Sequence, residues 1–521
     1  MIQRRLYIYI VAAASLAMLL IGLVNLGSTA INQILNTTSP YTSARDAYAG
    51  FGAVTLVGLP VWGIHWWLAQ RFANRNADER ASAIRRLYLY VVLAATGVGL
   101  AIYLRRLIED AFGLALSTSA EGASITRAIW AVVILSAFWA YHFRTAAVDR
   151  ATVGETGVSA TLRRWYAYPL TFLGLAFLLF GARNLLQQIW VLLVEHDQVI
   201  VAGGLVPTAL ATMLTGLLIW GFHSQWTARP PVAADDQAST LRAVEGFLAL
   251  AGSVALALFG ASQLLYYVLA RILGIENPGG ISSGIVVALA SPVATIIVFG
   301  LAWLWIRQQL ASDAGQTEAR RQAGVRHLYT HLVALLALAT LAVGVGGLLW
   351  TLSDQLLFRM ANQVAGAGEW RDKTSLFVTL IIVGVPMWLS HWRQSTGPTE
   401  RYTLSRRLYL YATLLASVLA VLISGAIFIY RLLTLVLGSS YRGGAPITVD
   451  MGRALSVVVV AAAIGLYHWR VLRSDGGTHP VVVPEPLAGP EIQVAITGAT
   501  EQEIRRALAD LPDSASFTIR K

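Results

Sequence analysis

The sequence contains no cysteine, which excludes disulfides, thiolate metal sites and a cysteine nucleophile. It is also poor in charge: 13% of its 521 residues are Asp, Glu, Lys or Arg, against roughly 25% in a soluble domain. Almost none of these charges falls in the middle of a long apolar stretch, so the carboxylate or histidine relay that a proton-coupled carrier threads through a membrane is missing. No Walker-type loop, H-E-x-x-H, G-x-S-x-G or kinase set occurs. The formal net charge is +11, but the cations sit at the ends of apolar runs rather than in a soluble basic patch, so nucleic acid is not an expected partner.

What is present in excess is apolar surface, at 56% of residues. Twelve runs approach or exceed the roughly 20 residues that cross a hydrocarbon core. They lie near residues 6–31, 49–70, 87–112, 125–144, 165–194, 203–223, 243–273, 284–306, 328–358, 374–392, 408–437 and 453–470. The expected fold class is therefore an all-α polytopic membrane protein.

The hexapeptide RRLYLY occurs at Arg85–Tyr90 and again at Arg406–Tyr411, and RRLYIY at Arg4–Tyr9. Further helix starts align at Arg163-Arg164-Trp165-Tyr166, Arg326-His327-Leu328-Tyr329 and a degenerate Leu241-Arg242-Ala243-Val244, with a period of about 80 residues. Within each period a second signal closes the following run: HWW at His65, YHFR at Tyr141, FHSQW at Phe222, WLWIR at Trp303, HWR at His391 and YHWR at Tyr467. One period reads as a helical hairpin, giving six in tandem. Because the internal copies of RRLYLY cannot be export signals, the first run reads as a retained helix rather than a signal peptide.

Each hairpin begins with arginine and ends with histidine, tryptophan and often arginine, so both ends belong at one membrane face. Placing the N-terminus, the connections and the C-terminus on that face collects 27 of the 39 Lys and Arg residues, and the positive-inside rule makes it the cytoplasmic face of the plasma membrane. Arg4, Arg5, Arg85, Arg86, Arg163, Arg164, Arg406 and Arg407 then read as interface anchors, held at the headgroup layer with the tyrosines beside them, and anionic lipid headgroups are the expected ligand of that layer. His65, His142, His223, His391 and His468 recur at equivalent positions and are expected to anchor or hydrogen-bond at the same level.

Hairpins one and five share V-G-x-P-x-W-x-x-H-W, at Val57–Trp66 and Val383–Trp392. Hairpins two and six share Y-H-F/W-R. That pairing suggests three parallel four-helix blocks, 1–150, 158–310 and 322–474, followed by a Pro-rich linker and a small cytoplasmic αβ tail, 475–521. R-R-L-Y starts coupled to H-W or Y-H-W-R ends resemble a bacterial integral-membrane domain family of unknown function that often occurs in several copies per chain. The resemblance covers roughly residues 1–474; the fourth hairpin is its weakest copy, since Arg242 stands alone and Leu304 takes the histidine position. It implies a class and no activity.

Pro60, Pro207, Pro292 and Pro386 are candidate helix breaks of the kind that line transporter sites. Arg105, Arg106, Arg183, Arg431, Glu109, Asp110, Glu195 and Asp354 fall at the outer interface and suggest a belt of charge pairs. The leading expectation is a non-enzymatic scaffold, assembly subunit or sensor with no cofactor, its tail recruiting a protein partner or a second copy. A transporter or channel for a small neutral or lipid-like solute is the alternative. A bis-histidine haem subunit built on the recurring histidines, or on His327 and His331, comes third.

Overall fold

The computed structural model describes residues 2–476 apart from 37–43, 117–121, 195–198, 230–235, 237–238, 279–283, 315–319, 361–368, 395–402 and 438–445. The expected αβ tail lies outside the described residues, as does Glu195. Among those described, every regular element is a helix.

Twelve are long and apolar enough to span a bilayer. They are α1 (Ile2–Ile34), α2 (Ala44–Arg75), α3 (Ala83–Ala115), α4 (Gly122–Val153), α5 (Val158–Val194), α6 (Val199–Thr227), α7 (Thr240–Ile272), α8 (Ala290–Ala314), α9 (Arg320–Met360), α10 (Glu369–Gln394), α11 (Leu404–Val436) and α12 (Ile447–Gly476). Most exceed the apolar run that announced them. At 1.5 Å per residue a 33-residue helix such as α3 is about 50 Å long, well beyond a hydrocarbon core of about 30 Å. The surplus carries the arginines and histidines, whose backbone groups the helix itself satisfies.

Consecutive helices pair as six antiparallel hairpins, and within each hairpin the two helices make their most extensive packing. Glycine sets how closely some of them approach. A β-carbon on Gly58 would lie 2.8 Å from the backbone nitrogen of Leu19, and one on Gly384 would lie 3.0 Å from that of Leu341. The shared V-G is thus the crossing point of α2 on α1 and of α10 on α9.

Hairpins then join in a row. The first helix of each hairpin packs on the first helix of the next, and more extensively on the next hairpin's second helix: α1 on α4, α3 on α6, α5 on α8, α7 on α10, α9 on α12. Hairpins further apart share no extensive contact among the described residues. This is the nearest-neighbour logic of a repeat array. The junction between hairpins two and three is built like the one between hairpins one and two, so the packing draws no line at the expected block boundary near residues 150–158.

The prolines behave differently from expectation. Pro60, Pro207 and Pro386 lie inside α2, α6 and α10 without interrupting them, as does Pro169, which the sequence did not single out, in α5. Neighbouring helices, hydroxyl side chains and small local adjustments let such a helix survive one missing amide donor. Only Pro292 adjoins an interruption: a single turn, Ile285–Ala288, ends at Leu289 and α8 begins at Ala290, so the proline occupies the first turn, where its missing N–H costs little.

Candidate functional site

The helix starts and the histidine-bearing ends meet at one end of the array, and they meet across hairpins. At the first junction Trp62 and Trp66 of α2 reach Tyr88 of α3 and His142 of α4. The Trp62 indole N–H donates to Tyr88 Oη at 3.2 Å, and Tyr88 Oη lies 3.4 Å from His142 Nε2. His142 Nδ1 is 2.8 Å from the carbonyl of Phe138, one turn back. The carbonyl can only accept, so Nδ1 carries the proton and Nε2 accepts from the tyrosine. Trp66 stacks on Tyr88 at 5.1 Å and donates to Tyr141 Oη at 2.7 Å.

The same chain of bonds recurs twice. At the second junction Trp139 of α4 donates to Tyr166 of α5 at 3.2 Å, and Tyr166 Oη is 3.1 Å from His223 Nε2 of α6. Between hairpins five and six Trp388 donates to Tyr409 at 3.1 Å, Tyr409 Oη is 3.0 Å from His468 Nε2, and Trp392 donates to Tyr467 at 2.7 Å. Tyr88, Tyr166, Tyr409, His142, His223 and His468 are all buried. Both ring nitrogens of these three histidines have partners within the chain.

The second aromatic residue of the motif faces the other way. Tyr9 packs on Tyr88 of the next hairpin at 5.6 Å, and Tyr90 on Tyr166 at 5.7 Å. His331, which holds this position in hairpin five, packs on Tyr409 at 6.0 Å. The residue between the two, Ile8, Leu89, Ala167 or Leu410, is buried, while the one before the first tyrosine, Leu6, Leu87, Trp165 or Leu408, is exposed to what would be lipid.

The arginines correct the anchor reading. Arg85, Arg86, Arg163 and Arg406 are buried inside the protein rather than spread at a headgroup layer. Arg85 donates from Nε to Asp149 at 2.6 Å and from a terminal nitrogen to Gln70 at 2.9 Å. Arg406 donates to Asp475 at 2.8 Å. Arg163 grips both oxygens of Asp236, at 2.9 and 2.8 Å, and its Nε lies 2.8 Å from Glu155. The second arginine of the motif clips the connection that follows its own hairpin: Arg5 to Glu79 at 2.9 Å, Arg86 to Glu155 at 3.7 Å, Arg164 to Asp236 at 2.6 Å. Arg4 and Arg407 remain exposed. An isolated buried guanidinium would be very costly; Arg85, Arg163 and Arg406 are tolerated because each meets a carboxylate with directed hydrogen bonds, and Arg86 because it donates to the carbonyls of Ala146 and Gly154 beside Glu155.

Sequence reasoning missed the acids. Asp149 and Asp475 each stand seven residues after the histidine, a spacing visible in hairpins two and six. Glu79, Glu155 and Asp236 sit in or beside the connections, where an acid reads as ordinary solvated surface. Burial alone would raise the Asp236 carboxyl, but hydrogen bonds from Arg163 and Arg164, the Arg163 charge and the Tyr168 hydroxyl together hold it below the usual carboxylate range.

His65 and His391 are only half-buried. His65 Nε2 lies 3.4 Å from Tyr7 Oη, and the His391 ring is 6.2 Å from that of Tyr329. Hairpin four, with Val244 and Leu304 in the tyrosine and histidine places, has no such pair. At the opposite end of the array Arg105 meets Glu109 at 2.8 Å, Arg431 meets Asp450 at 3.1 Å, and Arg453 bonds both oxygens of Asp354 at 2.7 and 2.8 Å. Arg183 is held by Asn184, Ser291 and Thr295.

Compared with known families, the chain matches the model described as Domain of unknown function (DUF5671) over residues 5–141, 164–290, 247–350 and 327–463. The chain belongs to this family. The DUF5671 matches lie in tandem, and the second and third overlap over α7, the first helix of hairpin four, so the family unit fits the chain in registers one hairpin apart. No curated protein and no solved structure matches it.

Proposed function

We propose that this multi-pass protein is a non-catalytic membrane scaffold. The observation that supports the reading is that tyrosines, histidines and arginines capable of chemistry are spent on joining one hairpin to the next, within closed hydrogen-bond chains and ion pairs. Such an array is a rigid platform. In this reading it lies in a bacterial plasma membrane with its N-terminus, connections and C-terminus in the cytoplasm, as the distribution of Lys and Arg favours. Exposed cations at that face, Arg4 and Arg407 among them, meet anionic headgroups. Residues 475–521 form a small αβ unit that cannot bury a core alone and recruits a protein partner.

The test is affinity purification from membranes of the full chain and of a variant ending at residue 476. A partner recovered in stoichiometric amount with the full chain and lost with the truncated one supports the scaffold. Solute flux into vesicles containing the purified chain, with no partner recovered, overturns it in favour of a channel or transporter.

A further inference from the structure

The junctions between hairpins one and two, two and three, and five and six are each made of two halves. The earlier hairpin presents the second aromatic of its R-R-x-Y-x-Y motif and the tryptophan or phenylalanine just after its histidine; the later hairpin presents its first tyrosine, already paired to its own histidine. Each end of the array carries one half with nothing against it among the described residues. On hairpin one, Tyr7 and His65 stand as Tyr88 and His142 do, with the same 3.4 Å between hydroxyl and Nε2 and the same Nδ1 bond to the carbonyl one turn back, 2.7 Å to Val61. Yet Tyr7 is 62% exposed, while Tyr88 is 4%. On hairpin six, Tyr411 occupies the place of Tyr9 and Tyr90 but is 59% exposed, and Trp469, in the place of Trp66 and Trp392, is 57% exposed. α2 and α11, one in each terminal hairpin, bury the smallest share of their apolar windows.

We propose that these halves complete each other between two copies of the chain: hairpin six of one copy docks on hairpin one of the next, with Tyr411 packed on Tyr7 and Trp469 beside it. The proposal rests on the junction geometry alone and stands apart from the scaffold reading. Lipid can cover an apolar face as well as protein can, so burial of hydrocarbon does not select the partner. What selects it is aromatic shape: Tyr411 and Trp469 stand where Tyr9 and Trp66 pack on Tyr88. Gly465 replaces the tryptophan found three residues before the histidine in hairpins one, two, three and five, so this contact is made without that donor and is weaker than the internal ones. The contact is head-to-tail, so it continues the row and closes into a ring only if the accumulated rotation permits.

The absence of cysteine makes the test clean. Two tagged variants, Tyr7→Cys and Tyr411→Cys, are mixed in vesicles of mixed zwitterionic and anionic phospholipid and treated with a short bis-thiol reagent. The mixture is expected to give a cross-linked heterodimer while either variant alone gives none, and Trp469→Ala added to the second variant cuts the yield about tenfold, the loss of a central aromatic contact. Only Tyr7–Tyr7 or Tyr411–Tyr411 products, or no product, overturn the proposal. Photobleaching of the labelled unsubstituted chain in the same vesicles provides a second reading: multiple copies per spot are expected, and single copies throughout overturn it.

Discussion

Tyr88, Tyr166 and Tyr409 each stand between a tryptophan that donates and a histidine that accepts, so removing one hydroxyl strands a buried imidazole and a half-buried indole. Tyr409→Phe is expected to lower stability by about 1–3 kcal/mol, whereas Tyr7→Phe, whose hydroxyl is exposed, should stay within about 0.5 kcal/mol; denaturant titration in detergent distinguishes them. Arg85 and Asp149 give a sharper contrast. Arg85→Met leaves a buried carboxylate uncompensated and should cost about 3–5 kcal/mol, while Arg85→Met with Asp149→Leu should recover most of that loss. If the double variant is as unstable as the single, the pair is not what the arginine is buried for. Asp236 adds a pH dependence. Its carboxyl is lowered in the folded chain, so its contribution is complete above the ordinary value of 3.8, fades as pH falls below that, and is lost once the lowered value is passed. Asp236→Asn should be less stable at neutral pH and should show a shallower loss on acidification below about pH 4.

At the scale of the helix and the hairpin, the twelve spans were legible because apolar length is a strong signal, and the hairpin was legible because the two ends repeat separate motifs. What the arginines do was not. An arginine that snorkels to headgroups and one that is buried against an aspartate occupy the same place in a sequence, at the edge of an apolar run; only the partner tells them apart, and it lies 64 residues away for Arg85. The prolines misled for a related reason, since whether a helix breaks depends on the neighbour that holds it. Glycine lets α9 and α10 close on each other: Gly344 and Gly347 sit against Phe377 and α10, while Gly346 faces open space. A bulky residue at a crossing point should force the hairpin apart, so Gly384→Leu is expected to cost at least about 1–3 kcal/mol and to raise hydrogen exchange in α9 and α10 before the rest of the chain.

For the whole molecule, the central claim is that hairpins form a row in which the first helix of each lies on the second helix of the next. The four-helix division suggested by shared motifs is a similarity of sequence between hairpins, and the packing runs through it without a seam. The most direct measurement is a disulfide across one junction. A β-carbon on Gly452 of α12 would lie 3.5 Å from that of Ser353 in α9, within the range a disulfide accepts. In the cysteine-free chain, Ser353→Cys with Gly452→Cys should oxidise readily in membranes, and the fragments from protease cleavage between them should stay joined until reduced. Gly465→Cys with Ser417→Cys, 3.2 Å apart within hairpin six, serves as the positive control. A control that forms while the α9–α12 pair stays reduced would contradict the row.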